Sequence, residues 1–377
     1  MTNGGRGAVS DLLEGFRVID LSQWLPGPAA GQLLADLGAA VIKVEPPGGD
    51  PMRHLGPLDR DGVSAWYKLV NAGKKVLRLD LKQEAGRSSF AELLAASDVL
   101  LESYRPGTLN NLGFGIERRR ELRPDLVHCA LSGYGQNGPL AFTAGHDINY
   151  LSLGGGLLAS GSVERPLAPF PPVADHASAL QAATAILAAL LRRQRTGEGA
   201  SLDISLTETV LAWQALPLTA ALRDGEVQRE EGILNGGAAY YRIYRCADGR
   251  FVSLGAIEPK FWSNFCRAAG QEEWIERQQD PLPQKQLIDE LEAFFAARPL
   301  HHWEELLWNV DCCFQPLLTP EEVLSHPQVI ARQQVQQKTG CDPRVEIGFG
   351  GWIDQQPPAR RAALREVSPE EALELWR

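Results

Sequence analysis

The chain has 377 residues, 44% hydrophobic and 22% charged, with a formal net charge of −10. A chain of this length outgrows a single hydrophobic core and is expected to form two domains. Its acidic balance excludes nucleic acid or an anionic membrane as the main partner, because both call for a basic face, but it leaves room for a small anionic ligand in a local basic pocket.

The opening "MTNGGRGAVSDLLEGF" lacks the apolar core of a secretion signal. No run approaches the ~20 apolar residues of a membrane span, so a cytoplasmic protein is expected. "FRVIDL" (16–21) then reads as a strand, "GPAAGQLLADLG" (27–38) as a helix with Pro28 in its first turn, and "AVIKVE" (40–45) as a strand. A strand at 74–81, a helix at about 84–97 and strands at 99–104 and 126–135 follow. A long Ala/Leu-rich helix covers about 175–195 and ends in basic residues suited to a helix C-terminus; another helix covers about 207–222. Strand–helix alternation of this kind predicts a mainly parallel sheet covered by helices.

The charged stretch 223–234 reads as a linker. Beyond it the composition changes. "YYRIYRCADGRFVSLGA" is a hairpin with its turn at Asp248-Gly249, followed by helices rich in Trp and Phe. The expected layout is therefore a large domain over 1–222, a smaller α+β domain over 235–330, and a return to the large domain over 331–377. Six scattered cysteines form no C-x-x-C pair and no His/Cys ligand spacing, so no metal site is expected, and Cys312 and Cys313 read as reduced thiols.

A parallel α/β sheet raises the question of a dinucleotide site. The loop after "VIDL" reads "SQWLPGPAAG" instead of G-x-G-x-x-G, which argues against one. That loop, with "LDLK" (79–82), "ESYRPG" (102–107), "LSGYGQNGP" (131–139) and "RRQRTGEGASLDISL" (192–206), resembles the family III CoA-transferases (CaiB/BaiF), which include the α-methylacyl-CoA racemases. The likeness runs over nearly the whole chain, in order. It implies a Rossmann-like large domain, a small domain and an interlocked homodimer with active sites where two chains meet.

Within that family the resemblance points to Asp175, in "PPVADHASALQ", as the essential aspartate. "GHDINY" (145–150) is similar to the racemase motif and supplies His146, and "GAIEP" (255–259) supplies Glu258 to orient it. The same likeness implies that Arg78, Leu79, Asp80, Leu81, Tyr104, Arg105, Gly145 and Tyr150 line the coenzyme A site. By position alone, Asp175 also reads as an N-cap of the long helix, Asp147 as loop support and His176 as structural. Alternation over 74–82 puts Lys74, Arg78, Asp80 and Lys82 on one strand face, a candidate basic lip or simply the polar side of a half-buried strand. After Asp175 come His-Ala-Ser-Ala instead of the aromatic and glycines usual in the racemases, and no glycine-rich loop of the formyl-CoA-transferase kind is found in the small-domain region.

The expected activity is racemisation at the α-carbon of a 2-methyl-branched or related acyl-CoA, with His146 and Asp175 as paired bases. It needs no cofactor beyond coenzyme A as part of the substrate. The alternatives are CoA transfer between carboxylic acids through a covalent Asp175 intermediate, and a non-catalytic CoA-binding protein.

Overall fold

A computed structural model describes residues 11–225 and 228–376. Residues 1–10 of the opening segment and 226–227 of the expected linker lie outside the described residues. Two compact units are present. The larger holds the described residues up to Gly154, Phe170–Ala212 and the chain from Leu324 onward; the smaller holds Gly155–Pro169 and Trp213–Val323.

The larger unit is built on a sheet whose main strands are β1 (Arg17–Asp20), β2 (Ala40–Glu45), β3 (Lys75–Arg78), β4 (Val99–Glu102), β5 (Val127–Ser132) and β6 (Ala200–Ser205). The order across it is β3-β2-β1-β4-β5-β6, with the short strand Arg365–Glu366 outside β3, and every pairing is parallel. Val18 faces Val41 on one side and Val99 on the other. The chain therefore reverses its direction of travel at β1, and the crevice at the carboxyl ends of β1 and β4 is where such sheets place ligands.

Helices cover both faces. Helices α1 (Pro26–Asp36) and α4 (Val173–Thr196) lie together on one side, and α2 (Glu84–Ala95) with the C-terminal helix Pro369–Glu374 packs on the other. Two-sided cover explains why Val41, Ile42, Lys43, Val44 and Glu45 are all buried in succession. Helix α4 is long and apolar enough to cross a membrane by composition, alone among the described helices; half of that stretch is buried, packed with α1, β5 and β6.

Three expectations change. The strand expected over 74–81 is only Lys75–Arg78, and Val76 and Leu77 are buried on its two sides, so only its last residue, Arg78, is exposed. Lys74 is wholly buried, paired to Asp20 at 2.8 Å and bonded to the Pro28 carbonyl at 2.7 Å and Asn71 Oδ1 at 3.0 Å. It belongs to the core and to no basic lip. Gly31 makes room for this pair, since a Cβ there would stand 2.8 Å from Asp20 Oδ2. Second, Asp175 is the third residue of α4, whose N-cap is Pro172, so its carboxylate is not the cap. Third, the helix expected over 207–222 is two, α5 (Leu206–Leu211) and α6 (Ala215–Asp224), the second restarting with Pro217 in a first turn that tolerates it.

In the smaller unit, β7 (Tyr241–Arg245), β8 (Phe251–Gly255) and β9 (Phe314–Pro316) form an antiparallel sheet in the order β9-β8-β7. Gly249 turns the hairpin with φ +82. Helices α7 (Pro259–Ala268), α8 (Lys285–Ala296) and α9 (Leu300–Leu307) bury Trp262, Phe265, Phe295 and Trp303 around Tyr244. Residues 155–169 join this unit because Arg229 gathers the carbonyls of Leu158, Ser162 and Val163.

Candidate active site

Helix α3 (Asp147–Leu153) begins with His146 at its N-cap. The His146 N–H donates to Asn149 Oδ1 at 3.0 Å, so the Asn of "HDIN" fixes the helix start. Just before it, Gly145 has no room for a side chain, because a Cβ would stand 2.8 Å from Tyr134 Oη and from the Tyr150 ring. The Tyr150 hydroxyl donates to the Gly145 carbonyl. Backbone and tyrosines thus hold the loop, leaving the His146 side chain exposed. Its ring meets Trp24 edge-on, centroids 6.3 Å apart at 87°.

The first turn of α4 comes to this corner. The Asp175 N–H donates to Asp147 Oδ1 at 3.0 Å. Through that bond the Cα atoms of His146 and Asp175 are at most about 12 Å apart, given standard covalent geometry. Asp147 does more than support its own loop, since it ties the two candidate bases to one another. The Asp175 carboxyl is pushed up to about 7, first by burial and then by the negative charge of Asp147. The Tyr150 hydroxyl is pushed up to about 12 by burial, with Tyr134, Asp175 and Asp147 adding. His176, next to Asp175, is exposed.

A cavity of about 220 Å³ lies at the carboxyl ends of β1 to β4 and is lined by Leu79, Asp80, Leu81, Lys82 and Tyr104 among others. Four of the expected coenzyme residues therefore meet in one place. Arg78 and Arg105 are exposed and outside this lining; Arg78 sits 3.4 Å from Glu366 instead. Tyr104 is anchored through its N–H to Glu102 Oε2 at 2.6 Å. Burial, then the Glu102 charge, pushes its hydroxyl up to about 12. Glu258, in the smaller unit, is the exposed N-cap of α7; its carbonyl accepts from the Phe261 and Trp262 N–H groups at 2.9 and 3.1 Å, and its carboxylate makes no cap bond.

Sequence reasoning passed over Trp24. It sits in the loop after β1 with φ +66, its N–H donated to Asp50 Oδ1 at 3.3 Å, a strained setting for a bulky residue. A lone aromatic in a loop at the carboxyl end of a central strand was the available signal. Among the described residues no group of His, Cys, Asp and Glu could hold a metal ion.

The sequence model of CoA-transferase family III matches residues 13–362. Alpha-methylacyl-CoA racemase of Homo sapiens is 37% identical over 324 residues, covering 83% of this chain and 80% of its own. Succinyl-CoA--D-citramalate CoA-transferase of Chloroflexus aurantiacus is 33% identical over 373 residues, covering 94% and 92%. The crystal structure of a CAIB/BAIF family protein from Brucella suis aligns with a TM-score of 0.81 at 26% identity, over 96% of this chain and 98% of that one.

Proposed function

This chain belongs to the CoA-transferase family III, and on that footing we propose that it is a racemase or epimerase acting at the α-carbon of a 2-methyl-branched or related acyl-CoA. The observation that carries the reading is the Asp175 carboxyl, raised to about 7 and tied through Asp147 to the loop that presents the His146 imidazole. A carboxyl that titrates near neutrality is matched to taking and returning protons. The thioester acidifies the α-carbon. Asp175 removes its proton, giving an enolate, and protonated His146 returns a proton to the opposite face; for the other enantiomer the roles exchange. Each acid–base contribution is worth a factor of ~10² to 10⁴.

The acyl-CoA would lie with its coenzyme portion in the Leu79–Tyr104 cavity. Exposed Trp213, Leu216 and Leu222, at 59%, 75% and 89%, support a homodimer that covers them.

One observation favours a second reading. The Chloroflexus transferase aligns over more of this chain than the human racemase does, 94% against 83%, so CoA transfer with Asp175 as nucleophile is the competing activity. Incubation with branched acyl-CoA in deuterated water, without an acceptor acid, separates them. Deuterium at the α-carbon is expected. No exchange across a panel of acyl-CoAs, together with an Asp175 adduct trapped by hydroxylamine, would establish transfer instead.

A further inference from the structure

A cavity of about 330 Å³ opens where β5 and β6 begin, at the other end of the strands from the candidate active site. Arg119, Arg120, Arg123, His128, Gly199 and Ser201 are among its lining. Arg119 is only 9% exposed and has no carboxylate within ion-pair reach among the described residues. Its Nη1 donates to the Phe114 carbonyl at 2.7 Å and its Nη2 meets His128 Nδ1 at 3.3 Å, which leaves part of its donor fork unused. The neighbouring Arg120 is 66% exposed, and its nearest acid, Glu117, is 3.9 Å away on the same helix.

Arg123 is already committed to Asp98 at 3.1 Å and Asp125 at 2.7 Å. The Ser201 hydroxyl is without a partner among the described residues. Gly199 brings the 197–199 turn against Leu126, where a Cβ would stand 2.3 Å from the carbonyl oxygen. Glu198 is the one acid in the lining, and it is exposed. The carboxylate that acts on the buried Arg119 guanidinium is Glu102, across His128, while Arg120 beside it adds like charge, so an anion in the cavity would be drawn to both guanidinium groups. Guanidinium forks match phosphate oxygens. The volume is several times a water's ~30 Å³ share, leaving room for an organic group behind the phosphate.

We propose that this cavity is a second ligand site, for a phosphate monoester held by Arg119, Arg120 and Ser201. The site has a hydrogen-bonded connection to the coenzyme cavity. With Arg119 donating to Nδ1, His128 carries its proton on Nε2 and donates to Glu102 Oε1 at 3.3 Å, and Glu102 Oε2 accepts from the Tyr104 N–H. An anion that draws Arg119 toward itself changes what His128 and Glu102 present to Tyr104. Occupancy therefore alters CoA affinity, and CoA alters the affinity for the anion by the same factor. This second step rests on the reading of the Tyr104 cavity as the CoA site; the site itself does not.

The test titrates the intact protein with inorganic phosphate and with glycerol 3-phosphate by calorimetry at constant ionic strength, with chloride as the control salt. Saturable binding, tighter for the monoester and weakened about tenfold or more in Arg120→Gln and in Ser201→Ala, is expected. CoA titrations with and without saturating monoester should differ about fivefold or more, a difference lost in His128→Asn. Binding that is absent, or equal in Arg120→Gln, overturns the site; this outcome includes simple competition at the CoA cavity, which Arg120→Gln would leave intact. Monoester binding with unchanged CoA affinity overturns the connection alone. Monoester binding in a protein that takes up no CoA leaves the site standing and sinks the acyl-CoA reading.

Discussion

Two aspartates in the larger unit are drawn out of water, and they end in opposite states. Asp20, fully buried at the end of β1, is held below the usual carboxylate range; burial works against this, and Lys74, Lys43 and a hydrogen bond from Ser22 outweigh it. Asp175, partly buried, has Asp147 where Asp20 has Lys74, and its carboxyl rises to about 7. The more deeply buried group is the more acidic one. What decides between them is the sign of the neighbouring charge, not the depth of burial. The Asp20 corner is neutralised and serves the fold, whereas the charge at the Asp175 corner is left unneutralised, as the proposed proton transfer would require.

The comparison breaks first in activity. Asp175→Asn and His146→Gln should each lower α-deuterium exchange by about 10² to 10⁴. Asp175→Asn should also raise stability at pH 8. The sign follows from linkage: a carboxyl whose pKa is raised by folding favours the fold in its protonated form, so its contribution declines as pH climbs from about 4 through about 7. Asp20 behaves oppositely, contributing above the ordinary carboxylate range and losing that contribution as pH falls through its lowered pKa. Thermal melts of wild type and Asp175→Asn from pH 4 to 8 should diverge steadily; parallel curves would mean that Asp175 is not strained by its setting.

The next effect falls on the fold. Lys74→Met removes the direct ion-pair partner of buried Asp20, leaving it only Lys43 and the Ser22 hydrogen bonds, and should cost about 3–5 kcal/mol in denaturant unfolding. Adding Asp20→Asn to it should recover part of that loss. Equal stability of wild type and Lys74→Met would remove the distinction between a structural and a functional corner.

Much of this was legible beforehand. Apolar runs such as "AVIKVE" alternating with helical patterns announce a parallel sheet, and they do so because both faces are covered. That same cover defeats the parity argument at Lys74, which assumed one wet face. Arg78 ends β3 and Leu79 lies just beyond it, so a stretch read as one coenzyme-lining run divides, Leu79 into the cavity and Arg78 toward Glu366. The family motif singled out His146 and Asp175. Their link through Asp147 could not be read, because residues 147 and 175 meet only when α3 packs on α4. Trp24 was hidden for a similar reason, as its partner, His146, comes from a distant loop.

The smallest effect concerns Asp147 itself. Burial is the larger cause of the raised Asp175 pKa and Asp147 the lesser one, so Asp147→Asn should move the Asp175 limb of the pH–rate profile toward acid without restoring an ordinary carboxyl. With a pKa of about 7, only about a tenth of Asp175 is ionised at pH 6, which limits the direction in which it acts as base. Removing the Asp147 charge raises that fraction. For the enantiomer that Asp175 deprotonates, the variant should therefore gain rate relative to wild type at pH 6 and lose the gain by pH 8. An amide oxygen at position 147 can still accept the Asp175 N–H, so the corner keeps its geometry while its charge changes. If the limb stays where it was, the two carboxylates do not feel one another, and the contrast with the Asp20 corner rests on the cations beside Asp20 alone.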